Sequence, residues 1–308
     1  MVAQNPEYIW NFVKSFQAAE DKPGTATPFV KSNKLKQIDR KLARAFLECA
    51  RMDINASKLL YREKDYSNAV YHLQQATEKL AKAYFMLFPS YSYDEIRAIQ
   101  HTTPRVFLDF MSKSQAKPLI YRLKSLLPSI DFGDLDEILD IVKTIKKSQT
   151  QVEIARLSNE TIKEFLKIPY LISPSKGENG FEDILRELGM TVEEIEEVVR
   201  KEAQSENTSA QALTGPSLKN KINNAGDHMI RLMYYFITLY VLAIITFPHE
   251  SFTRYPDKEV KPAEYAKGLG IVTEFEEVVR RLEEVFKHTQ SELLFDDLGH
   301  RKTSKRMT

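Results

Sequence analysis

His72, Gln75, Glu78, Lys79 and Lys82 include pairs three, four and seven residues apart, spacings that return to one side of a helix. Together they offer an imidazole, an amide, a carboxylate and two ammonium groups. That set of donors and acceptors can hold the phosphate and base edges of a nucleotide. The same groups can instead make polar contacts within a helical bundle or across a dimer. Metal chemistry lacks its ligands, because neither His-Glu-x-x-His nor Glu-x-x-His occurs, which leaves zinc-protease and di-iron sites without a donor set. No metal and no cofactor is expected. Thr214-Gly215-Pro216-Ser217 and Gly268-Leu269-Gly270 lack the Gly-x-x-x-x-Gly-Lys frame of a phosphate loop and read as helix punctuation. Cys49 is the single cysteine; beside Leu47 and Ala50 it reads as a small core hydrophobe.

The elements that position these groups read as helices. The ten glycines all lie outside residues 25–132, and Asn179-Gly180 is the one hairpin-type dipeptide in 308 residues, whereas sheets built on tight turns need such dipeptides often. Leu35, Ile38, Leu42, Phe46, Ala50, Ile54 and Leu60 predict a helix over about 34–62, and Asp65 offers a cap for the next, over 66–88. There Ala69, Leu73, Ala76, Leu80, Ala83 and Leu87 alternate small and large at 4-3-4-3-4, the seam of closely packed antiparallel helices. Residues 6–19, with Tyr8, Ile9, Trp10, Phe12 and Phe16, predict an accessory helix before a linker. Ser92 to Glu95 and Thr191 to Glu194 are capping boxes. The second opens an acidic helix in a stretch, 178–206, of ten acids and three bases, a solvated face or an acidic docking surface. Ser217 is expected to cap a helix reaching Phe247, whose half from Leu232 onward carries no charge for 16 residues. That run is short of the roughly 20 residues that span a bilayer and holds three tyrosines, so a helix buried on most sides is expected, with no membrane partner. Pro262 is expected to open the last long helix, running to about Leu294, before a basic tail.

Composition agrees with a soluble, folded, all-α protein. Hydrophobic residues make up 43% and charged residues 28%, and 44 basic residues against 43 acidic ones leave a net charge of +1. No global field advertises nucleic acid or an anionic membrane. One cysteine cannot form an internal disulfide, and the first residues lack the build of a signal peptide, so a reducing, cytoplasmic location is the expectation.

Residues 65–85, DYSNAVYHLQQATEKLAKAYF, closely resemble the signature helix of HEPN domains, Tyr-x-x-Ala-x-x-His-x-Gln-Gln-Ala-x-Glu-Lys. Tyr66, Ala69, His72, Gln74, Gln75, Ala76, Glu78 and Lys79 fill the pattern. His101 resembles the family's histidine after the second helix, although Thr102 and Thr103 stand where Asp and Leu usually follow. Phe252 to Asp257 resembles the family's Arg-Tyr-Pro-Asp element. The resemblance implies a HEPN-like up-and-down helical bundle with an inserted helical subdomain. Its parts would be an N-terminal accessory helix and linker (1–33), the bundle's first half (34–111), the insertion (112–216), its second half (217–295) and the tail (296–308).

By the same resemblance His72, Gln75, Glu78, Lys79, His101, Arg254 and Tyr255 are the expected ligand-binding residues. The implied role is a dimeric binding or partner module for a nucleotide or RNA, as in toxin–antitoxin pairs with a small nucleotidyltransferase partner. HEPN ribonucleases carry Arg followed after four to six residues by His, where arginine stabilises phosphate charge and histidine moves a proton. Arg281 and His288 are the pair with that spacing here, and about one such pair is expected by chance in a chain of this composition. A metal-independent endoribonuclease and a helical protein–protein adaptor are the alternatives.

Overall fold

The computed structural model describes residues 33–87, 96, 104, 107, 148–171, 180–187, 191–205 and 216–304. Among these every regular element is helical, as the sequence leads one to expect. In chain order they are α1 (Asn33–Arg62), α2 (Tyr66–Phe85), α3 (Ser148–Ala155), α4 (Asn159–Lys167), α5 (Gly180–Glu187), α6 (Val192–Ser205), α7 (Pro216–Thr246), α8 (His249–Phe252), α9 (Gly270–Thr273) and α10 (Phe275–Ser304), with 3₁₀ turns at Ile168–Leu171 and Pro262–Lys267. The accessory helix expected at 6–19, the capping box at 92–95 and His101 lie outside the described residues.

The chain divides into two compact units. The larger contains α1 to α4, the end of α7 from Tyr235, and α8 to α10 up to Leu293. Its foundation is the α1–α2 hairpin. Lys64, at φ 63°, turns the chain, and Asp65 caps α2 through hydrogen bonds from Asn68. The alternation of small and large residues then does what the spacing predicts. Ala69, Leu73, Ala76, Leu80 and Ala83 are fully buried, and Ala43, Leu47, Ala50 and Ile54 of α1 are buried with them. The helices come so near that the Ser57 hydroxyl donates to the backbone oxygen of Ala69 at 2.7 Å.

Over this pair lies the uncharged end of α7. From Phe236 to Thr246 ten of eleven residues are buried, the all-round burial of a core helix. Phe236 meets Phe85 and Phe107 edge to face at 6.1 and 5.2 Å, favoured geometries for aromatic rings. By length and composition Leu218–Thr246 could cross a membrane, but 59% of its most apolar window is buried inside the protein. Ile154, Ala155, Ile162 and Leu166 of α3 and α4 join the same core, so part of the stretch expected as an insertion packs with the bundle.

In the smaller unit α5 and α6 attach to the first turns of α7. The Phe181 amide donates to the Asp227 carboxylate at 2.9 Å, Asn223 donates to Glu182 at 2.7 Å, and Lys219 pairs with Glu193 at 2.8 Å. The Phe181 ring occupies the space a Cβ on Gly226 would need, with the ring carbon 2.1 Å away. Thr191 and Glu194 form the expected capping box, the Thr191 amide donating to the carboxylate and the Glu194 amide to the hydroxyl.

Three local expectations are corrected. Pro216 takes the first helical position of α7, where its missing N–H costs nothing, so Ser217 lies inside the helix and is not its cap. The last helix does not run unbroken from Pro262. A 3₁₀ turn ends at Gly268, at φ +85°, and α9 follows, with Gly270 held so close that a Cβ would stand 2.2 Å from the Leu157 oxygen; α10 begins only at Phe275 and runs past the expected end at Leu294, through part of the expected tail, to Ser304. Cys49 is exposed, because the buried side of α1 runs through Leu47 and Ala50 and leaves position 49 facing outward.

His249 and Tyr265 clasp the two ends of the loop that contains Arg254. Both are buried, and the phenol oxygen lies 2.6 Å from Nδ1. Burial pushes the His249 pKa down to about 3 and the Tyr265 phenol well up, so the phenol donates and the neutral imidazole accepts. In the unfolded chain the same histidine takes its proton near pH 6.5. Its contribution is therefore complete above pH 6.5 and is lost as pH falls toward 3, at up to about 1.4 kcal/mol per pH unit. Melting temperatures recorded from pH 7 to pH 4 are expected to fall less steeply for His249→Gln than for the wild type. Tyr265→Phe, which orphans a buried acceptor, is expected to destabilise by about 1–3 kcal/mol in urea unfolding.

Candidate functional site

The outward side of the α1–α2 hairpin carries an ionic contact among three residues. Asp53 of α1, 9% exposed, receives His72 Nδ1 on one carboxylate oxygen at 2.9 Å and the Lys79 ammonium on the other. His72 and Lys79 stand seven residues apart on α2, so two helical turns present both to one carboxylate. An ionised carboxylate can only accept. Nδ1 of His72 is thus the donor, and the ring's remaining polar atom, Nε2, accepts in the neutral form and donates in the cation. The His72 and Lys79 side chains are 32% and 29% exposed, enough to meet a ligand.

Gln75 lies between them in sequence and donates to the Gln74 side chain at 2.7 Å. Gln74 itself is 2% exposed, so a buried amide fixes the orientation of a half-buried one. Glu78 departs from the row. At 4% exposure it faces inward and holds the Lys82 ammonium at 2.6 Å.

The Arg254 turn reaches the same helix. Ser67 of α2 donates to the backbone oxygen of Thr253 at 2.8 Å, which seats the turn on the first part of α2. Arg254 then stacks its guanidinium over the Tyr71 ring at 5.0 Å and the Tyr255 ring at 5.3 Å, within cation–π reach. Tyr71 in turn meets the His72 ring edge to face at 5.4 Å. His72, Arg254 and Tyr255 are thereby linked through Tyr71, and the exposed Tyr255 and Arg254 offer a stacking face and a fixed positive charge. The arrangement suits a planar base and a phosphate.

Arg281 and His288 sit elsewhere in this unit, on α10. Arg281 is 3% exposed, pairs with Glu277 at 3.0 Å and Glu284 at 3.4 Å, and stacks on Tyr170 at 4.0 Å. His288, 9% exposed, stacks on Tyr235 at 4.0 Å with interplanar angle 15° and lies 3.8 Å from Glu292. Both side chains fasten α10 to its neighbours. Among the described residues no group of His, Cys, Asp and Glu is placed to hold a metal ion.

Sequence reasoning passed over Asp53 and Tyr71. Asp53 had a visible signal: an acid set within the buried stripe Ala50, Ile54, Ser57, where a charge is tolerated only with a partner, with a histidine and a lysine two turns apart on the following helix. Tyr71 had none beyond its place before His72.

No curated protein and no solved structure matches the chain. Residues 43–89 match the family model of the HEPN domain, a stretch that runs from the first buried alanine of α1 through all of α2 and includes Asp53, His72, Gln75 and Lys79. The part of the chain that is similar to HEPN domains is thus the helical hairpin of the larger unit.

Proposed function

We propose that the chain is a cytoplasmic binding module that works as a homodimer and takes a nucleotide, free or within RNA, on the outer side of α2 beside the Arg254 turn. A small nucleotidyltransferase of a toxin–antitoxin pair is the partner protein this reading favours. The observation that carries it is the chain of contacts from Asp53 through His72 and Tyr71 to Arg254. It draws an imidazole, a guanidinium and two aromatic rings onto one exposed side of the HEPN-matching hairpin. Arg281 and His288 support binding over cleavage. Their side chains are buried among structural partners, whereas a catalytic pair must touch the reacting phosphate.

Calorimetric titration with ATP and with single-stranded RNA tests the ligand. Wild type is expected to bind at least one of the two. His72→Ala and Arg254→Ala should each weaken that binding at least about tenfold, or 1.4 kcal/mol, with melting temperatures close to wild type. Binding unchanged in both variants, or no binding of either probe, overturns the proposal. Asp53→Asn is expected to behave differently, losing about 1–3 kcal/mol of stability in urea unfolding because the Lys79 ammonium and His72 Nδ1 lose the carboxylate they share. Incubation with end-labelled RNA in EDTA is expected to leave the RNA intact. Arg281→Ala should lower the melting temperature, and RNA cleavage by wild type that disappears in Arg281→Ala/His288→Ala would make the protein a ribonuclease.

A further inference from the structure

Helix α1 has two apolar sides, and among the described residues one of them is buried in the bundle. Ala43, Leu47, Ala50, Ile54 and Ser57 are buried in the bundle. Leu42, Ala45, Cys49, Met52, Ala56 and Leu59 form a second stripe at 3-4-3-4-3 spacing, the period of a helix seam. Ala45 and Cys49 are exposed, and Met52 and Leu59 are 67% and 59% exposed. A single exposed apolar residue is ordinary; a row of them along one helix marks a contact surface.

The stripe from Cys49 to Leu59 is complementary to itself. When two such helices pack antiparallel, the residues that follow a three-residue step meet those that follow a four-residue step. The small Cys49 and Ala56 then fall opposite Leu59 and Met52 of the other copy, with the two-fold axis beside residue 54. In that register Glu48, which holds Arg51 of its own helix at 2.7 Å, also comes beside Arg62 of the other copy, twice by symmetry. A parallel pairing would set Cys49 on Cys49 and Met52 on Met52, leaving gaps at one layer and crowding at the next.

We propose that the outer stripe of α1 is the surface on which a second copy of this chain packs, antiparallel, with Cys49 against Leu59 and Glu48 against Arg62. The proposal rests on the homodimer reading above and names its interface. The closing experiment uses the full chain. Light scattering at micromolar concentration is expected to give twice the 35.6 kDa of one chain, and Met52→Glu/Leu59→Glu is expected to give the single-chain mass with unchanged circular dichroism. Glu48→Arg should weaken the dimer, and Glu48→Arg/Arg62→Glu should restore it. The Cys49 thiol should react with a maleimide several-fold more slowly in wild type than in the Met52→Glu/Leu59→Glu variant, and faster on dilution. A dimer that survives Met52→Glu/Leu59→Glu overturns the surface while leaving the dimer reading intact. A single-chain mass for wild type overturns both, and slow Cys49 labelling at that mass would mean that another part of this chain covers the stripe. Failure of the charge swap to restore the dimer overturns the antiparallel register.

Discussion

The close approach of α1 and α2 is the constraint on which the larger unit depends. Alanine at every second seam position lets the two backbones come near enough for a serine hydroxyl to bond a carbonyl on the facing helix. That distance decides what can happen on either side of the seam. Inward, it leaves the large side chains of α2 projecting toward α7, where Phe85, Phe107 and Phe236 close the core. Outward, it brings Asp53 within bonding distance of His72 and Lys79 at once. A wider seam would leave a nearly buried carboxylate without its two hydrogen-bond partners, a costly arrangement.

The outer polar row therefore has a rigid base. Each of its groups has an anchor: His72 is tied to Asp53, Gln75 to the buried Gln74, and the Arg254 turn to Ser67 on one side and, through the His249–Tyr265 bond, to the core on the other. Side chains held this way lose less freedom when a ligand arrives, which is how modest contact areas yield useful affinity. The clasp also explains why a buried histidine is retained beside a loop of exposed residues. It accepts from the phenol without carrying charge, and so joins α8 to the 3₁₀ turn at little electrostatic cost.

Much of the fold was legible because periodicity reports burial directly. The α2 seam, the all-round burial of the end of α7 and the capping box before α6 follow from spacing and cap chemistry, which are local. The errors arose where a neighbour distant in sequence decides. The last helix is interrupted where Gly268 takes a positive φ and Gly270 passes against Leu157, about a hundred residues away. Cys49 faces outward because α1 has two apolar sides, and periodicity alone does not tell which one meets α2. At the site, His72, Gln75 and Lys79 were visible as a row, yet Glu78 turned inward to hold Lys82. Asp53 escaped notice because its meaning lies in a pairing across two helices.

The order of the elements along the chain has a kinetic side. α1 and α2 are joined by a three-residue turn, so their contacts are local and form early. The aromatic end of α7 that covers them lies roughly 150 residues further on, which at usual ribosomal rates is about 10–30 s of synthesis. During that interval Phe85, whose ring packs against Phe236 of α7, is without that cover. The hairpin seam thus sets the beginning of the folding pathway, and the late arrival of α7 makes the growing chain a substrate for whatever shields apolar surface at the ribosome.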